Sequence, residues 1–147
     1  MCIRDSSGGD VDFRDASTSL CPSTGCTITV NGPDSNLYFL DPGDKLCLAA
    51  GAEYTGVIIF RGGTLENCAD LPQEFEVGYN STQGNRIINN GTIVFPNSIT
   101  LDNTLTFDNH GTFIVNNLLN VRGNSIFNNF GVHQLSLIHI SEPTRPY

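Results

Sequence analysis

The chain has 147 residues, a net charge of −8, and seven Lys and Arg against fifteen Asp and Glu. Binding to phosphate backbones needs a positive footprint that releases counterions, and the chain lacks one, so nucleic acid is not expected as a partner and anionic membrane surfaces are disfavoured. No apolar run approaches the roughly 20 residues of a membrane-spanning helix, and Asn and Gly set among Thr, Ile, Val and Phe, without Trp, make strand-and-turn chemistry rather than helix chemistry.

At the N-terminus, "MCIRDS" back-translates to ATG-TGT-ATA-AGA-GAC-AG, the reverse complement of a coding for "LSLIHIS" near the C-terminus. The pair resembles a transposase sequencing adapter, as expected for a metagenomic read, and "SEPTR" resembles its continuation. Residues 1–6 and 135–147 are therefore set aside as read-through. Ser7 to Gln134 remain, about 128 residues, enough to bury a core. "SSGGDVDFRDASTS", within 7–20, reads as a flexible lead-in.

Four cysteines belong to the remaining span: Cys21, Cys26, Cys47 and Cys68. An even count without zinc-finger spacing suits an oxidising, exported setting. Cys26, Cys47 and Cys68 are spaced 21 and 21, which fits turns of equal perimeter with cysteines stacked in one column. That favours Cys47–Cys68 with a local Cys21–Cys26 bridge, although four cysteines allow three pairings. Short strands are predicted near Lys45–Leu48, Val57–Phe60 and Thr64–Asn67, and Ala69–Asn85, which breaks the step, is predicted as a loop or a bulging turn.

From Ile87 the pattern becomes regular. Odd positions are apolar, Asn or Gly, and even positions are mostly polar, which is the alternation of a strand with one buried face. The pattern also repeats at a step of 20. Ile87, Phe107 and Phe127 form one column, Asn89, Asn109 and Asn129 a second, and Gly91, Gly111 and Gly131 a third. Ile93 meets Phe113, Phe95 meets Val115, Asn97 meets Asn117, Ile99 meets Leu119, and Leu101 meets Val121. An even step preserves the inward face, where an odd one would flip it. Twenty residues of extended chain span about 65 Å, one closed turn of a parallel β-helix whose neighbours bury its face together. The Asn residues are expected to ladder through their amides, and the Gly residues to supply positive φ at the corner. A type I′ hairpin at each corner is disfavoured, because Asn90, His110 and Phe130 precede the glycines and Phe resists positive φ.

"NNGTIVF", "LTFDNHGTFIV" and "FNNFG" together resemble the Asn-x-Gly-rich repeats of right-handed parallel β-helices in bacterial surface proteins, the haemagglutinin-like and autotransporter-like adhesins. The resemblance covers Cys26 to Gly131. It implies an all-β, right-handed solenoid over 21–134 with about 20–21 residues per turn. It also implies export or surface display and a non-catalytic, adhesive or stalk role. The expected partners are surface glycans or host cell-surface proteins, together with further turns of a longer chain; no cofactor or metal ion is expected.

The alternative is a carbohydrate-active β-helix enzyme or a carbohydrate-binding module. An enzyme would cluster acids and bases on one flank, from Asp102, Asp108, Arg122, His110, Glu74 and Glu76; Asp102 and Arg122, one step apart, read instead as an exposed ion pair, and His110 as a surface corner residue. "DPGD", Asp41 to Asp44, and "GGDVD", Gly8 to Asp12, complete no calcium pattern and read as turns. Tyr38, Tyr54 and Tyr79 are too scattered for a flat sugar-binding strip.

Overall fold

The structure is a computed structural model that describes residues 21–71, 76–79, 84–102 and 104–141. The lead-in, Glu74, the Gly8–Asp12 stretch and residues 142–147 lie outside the described residues. Sixteen strands follow in order: β1 (Ile28–Val30), β2 (Pro33–Asp34), β3 (Leu37–Leu40), β4 (Lys45–Leu48), β5 (Glu53–Tyr54), β6 (Val57–Phe60), β7 (Thr64–Asn67), β8 (Asp70–Leu71), β9 (Glu76–Tyr79), β10 (Arg86–Asn89), β11 (Thr92–Phe95), β12 (Ile99–Leu101), β13 (Thr106–Asn109), β14 (Thr112–Arg122), β15 (Ile126–Asn129) and β16 (Val132–Ser141). Every pairing is parallel, and no helix occurs among the described residues.

The strands stack as a β-solenoid of about five turns. One six-stranded ladder, β1-β4-β7-β10-β13-β15, takes a strand from every turn. β3-β6-β9 and β2-β5 form further ladders, and β8, β11, β14 and β16 continue beside β12. Each turn thus pairs its backbone with the next, about 4.8 Å away, and hides its inward side chains behind those of its neighbours. Residues 135–141, set aside above on their coding pattern, carry the backbone of β16 beside β14.

The predicted columns are present. Ile87 pairs with Phe107 and Phe107 with Phe127, and Ile93 with Phe113, Phe95 with Val115, Ile99 with Leu119, and Leu101 with Val121. Leu46 and Leu65 extend the first column downward, and both are fully buried. The rings of Phe107 and Phe113 approach to 4.6 Å between centroids. Each such side chain contributes about 1.5–3 kcal/mol on full burial.

Three expectations are corrected. Asn97 and Asn117 are exposed, because the chain turns a corner there and the inward alternation is interrupted. The stretch 69–85 holds two strands: β8 pairs with β11, and β9 with β6. Turn length is 20 from β10 onward but varies upstream. Ile28 lies beside Leu46, a step of 18, Lys45 beside Thr64, a step of 19, and Leu65 beside Ile87, a step of 22. Corners absorb these differences while the strands stay in register.

Candidate functional site

The Asn column is a continuous amide ladder that starts one turn earlier than the repeat shows. Asn67 Nδ2 donates to Asn89 Oδ1 at 2.8 Å, Asn89 to Asn109 at 2.7 Å, and Asn109 to Asn129 at 2.7 Å. The same Nδ2 groups donate to corner carbonyls: Asn89 to Thr112 at 3.0 Å and Asn109 to Val132 at 2.9 Å. At the lower end, Ala69 N–H donates to Asn67 Oδ1 at 3.1 Å. Asn67, Asn89 and Asn109 are fully buried, so these bonds remove the cost of placing amides in an apolar core. Below Asn67 the same column passes to Leu48 and Val30. The repeat hides Asn67, because its step is 22 and Ala69 replaces the corner glycine, although the Asn-x-small signature is present.

The corner glycines serve a different purpose from the expected one. None of Gly91, Gly111 and Gly131 has positive φ. A Cβ on Gly111 would overlap the carbonyl oxygen of Gly91, one on Gly131 that of Gly111, and one on Gly91 that of Ala69. The stacked backbones come too close for a side chain. Positive φ recurs once per turn at another corner, in Gly43 (95°), Gly62 (110°), Gly84 (78°), Thr104 (55°) and Gly123 (66°), and is found also at Gly25 and Gly51 (90° each). Thr104 breaks that glycine series, which hid the column.

On the outer flank of the long ladder, one outward column runs Cys47, Glu66, Ile88, Asp108, Asn128. Asp108 accepts from Arg86 Nη2 at 2.6 Å and from Asn128 Nδ2 at 2.8 Å. Burial pushes the Asp108 carboxyl up, but these donors outweigh it and hold it below its usual value. His110 and Phe130 stack at the neighbouring corner, 4.8 Å apart and 13° from parallel. Asp102 and Arg122 form the expected ion pair at 2.9 Å, exposed and worth about 0–1 kcal/mol. Arg86–Asp108 and Asp102–Arg122 are separate ion pairs, and His110 lies close enough to Asp108 to help hold its carboxyl down. Glu76 lies in β9. Tyr38 and Tyr54 do come together, 6.0 Å apart, but Tyr54 is buried and spans Asn36 O and Val57 O, so the pair braces a corner. "DPGD" is a turn closed by Asp44 N–H to Asp41 O at 2.9 Å.

The cysteine pairing differs from the favoured one. The disulfides are Cys21–Cys68 and Cys26–Cys47, each with Cα atoms 5.8 Å apart. The 21-residue spacing is not the turn length here: Cys47 lies beside Thr29 and Glu66. Residues 21–26 instead run across the outside of β4 and β7 as a strap, before the regular ladder begins with Thr27 N–H to Lys45 O. Glu66 lies beneath it, 3% exposed. It accepts from Ser23 Oγ at 2.9 Å and from Asn90 Nδ2 at 3.2 Å, and pairs with Lys45 Nζ at 2.8 Å. Burial raises the Glu66 carboxyl, but Lys45 and Ser23 more than offset it and leave it below its ordinary value, hence ionised at neutral pH.

No family model, curated protein or solved structure matches the chain.

Proposed function

We propose that this chain is a structural display segment of an exported protein, a stalk whose outer faces meet surface glycans or cell-surface proteins, with no reaction of its own. The observation that carries the reading is the strap: two disulfides latch it to the outside of the solenoid, and such bonds persist in oxidising compartments. A solenoid adds length one turn at a time, because each turn contacts only its neighbours, and the outer charges are spent in local pairs such as Arg86–Asp108 and Arg61–Asp41. The bacterial adhesin-type resemblance points the same way.

The test is to immobilise the oxidised domain and measure retention of cells and of neutral and acidic glycans, alongside reducing-end release from a polysaccharide panel. Retention without release is expected. Release that disappears in Asp108→Asn would overturn the reading in favour of a carbohydrate-active enzyme.

A further inference from the structure

The strap joins a disulfide to a buried, ionised carboxylate. Cys21 Sγ, Cys68 Sγ and a Glu66 carboxylate oxygen all lie within 4.8 Å of one another. In a tetrahedral site, thiolates sit about 2.3 Å from zinc and a carboxylate oxygen about 2.0–2.2 Å, so neighbouring ligand atoms are somewhat under 4 Å apart. The Cα atoms of Cys21 and Cys68 are 5.8 Å apart, close enough for both sulfurs to serve one ion. The surrounding chain stays held when the bridges are reduced: Cys68 N–H donates to Leu48 O at 2.8 Å, and Ser23 binds Glu66 through both its N–H and its Oγ. The carboxylate is itself held by Ser23 and Asn90, the kind of outer support that orients a metal ligand.

We propose that reduction of the Cys21–Cys68 bridge creates a zinc site of two thiolates and the Glu66 carboxylate, with a fourth position open to water. A phosphine reductant transfers two electrons to the disulfide and takes up the oxygen of a water molecule; the bridge becomes two thiols and the phosphine its oxide. Each thiol then releases a proton as its sulfur binds zinc, two per ion. The strap is thereby latched in either redox state, by a sulfur–sulfur bond or by the metal. The neighbouring Lys45 ammonium repels the ion and limits its affinity, so the site is weaker than a closed four-ligand one.

The experiment titrates Zn²⁺ into phosphine-reduced and into oxidised full-length chain by calorimetry. Co²⁺ serves as a spectroscopic probe for thiolate ligation. One ion per reduced chain, none per oxidised chain, and a thiolate-to-cobalt absorption band are expected. Glu66→Gln and Cys68→Ser should each weaken binding at least about tenfold, the Cys26→Ser/Cys47→Ser double variant should retain it, and Lys45→Gln should tighten it. Circular dichroism of each variant confirms that the ladder has formed. Should the double variant not fold, the Glu66→Gln comparison in otherwise unaltered chain decides the matter. Absence of binding to the reduced chain, indifference to Glu66→Gln, or binding that follows Cys26 and Cys47 would each overturn the proposal.

Discussion

Replacing Asn109 with Ala interrupts the amide ladder at its centre. Asn109 is fully buried, accepts from Asn89 and donates to Asn129 and to Val132 O. Truncation leaves Asn89 Nδ2 one remaining partner, the Thr112 carbonyl. Asn129 Oδ1 and Val132 O each lose a donor. A buried group left unsatisfied costs about 1–3 kcal/mol, and the vacated amide volume adds to that. Asn129 and Val132 are exposed and water can reach them, so the lower end of the range applies there. The expected loss is about 3 kcal/mol, against a total of roughly 5–15 kcal/mol for a domain. In a chain of this length that lowers Tm by about 10 °C. Thermal and urea unfolding followed by circular dichroism measure both quantities, with exposed His110→Ala as a control within about 0.5 kcal/mol of the parent. Asn109→Asp should be worse at pH 7 than at pH 4, because an ionised carboxylate cannot donate to Asn129. An Asn109→Ala loss no larger than that of His110→Ala would refute the account of the ladder as an interlocked, buried chain of bonds.

Gly111→Ala places a methyl against the Gly91 carbonyl oxygen and should cost about 3 kcal/mol or prevent folding, whereas Gly32→Ala, with nothing nearby, should be within about 1 kcal/mol of the parent; equal stability of the two would remove close stacking as the reason for the corner glycines. Thr104→Gly should stabilise by about 1 kcal/mol, since a β-branched residue at φ 55° is strained; a lower Tm would contradict this. His133 packs on Phe113 and Phe127, and burial lowers its pKa below 6.5. The folded chain therefore resists a proton that the unfolded chain accepts. Stability should be fully present above about pH 6.5, decline as pH falls below that value, and level off beneath the folded pKa. His133→Phe should flatten the decline between pH 7 and 5, where Glu66 and Asp108 stay ionised; an unchanged slope would exclude His133 as its source.

Much of the ladder was legible because repetition and alternation are properties of the chain alone. A step of 20 repeated at Ile87, Phe107 and Phe127 leaves one way to keep like beside like on the inward face. Where the step changes, the pattern no longer reads out: a step of 22 hides Asn67, and a cysteine spacing of 21 suggests one column where the steps are 18 and 19. The corner glycines were found, but their reason was not, since identity at a corner does not distinguish positive φ from close backbone approach.

The strap and its Glu66 site were beyond the sequence for a related reason. Periodicity reports only contacts that recur with each turn, and Cys21–Cys68, Ser23–Glu66 and Lys45–Glu66 occur once. Spacing along the chain determined that this protein winds into stacked parallel turns with an Asn column inside. Tertiary structure alone decided which side chains meet on the outside, because there no neighbouring turn imposes a register and the path of residues 21–26 is set by covalent bonds and one buried charge.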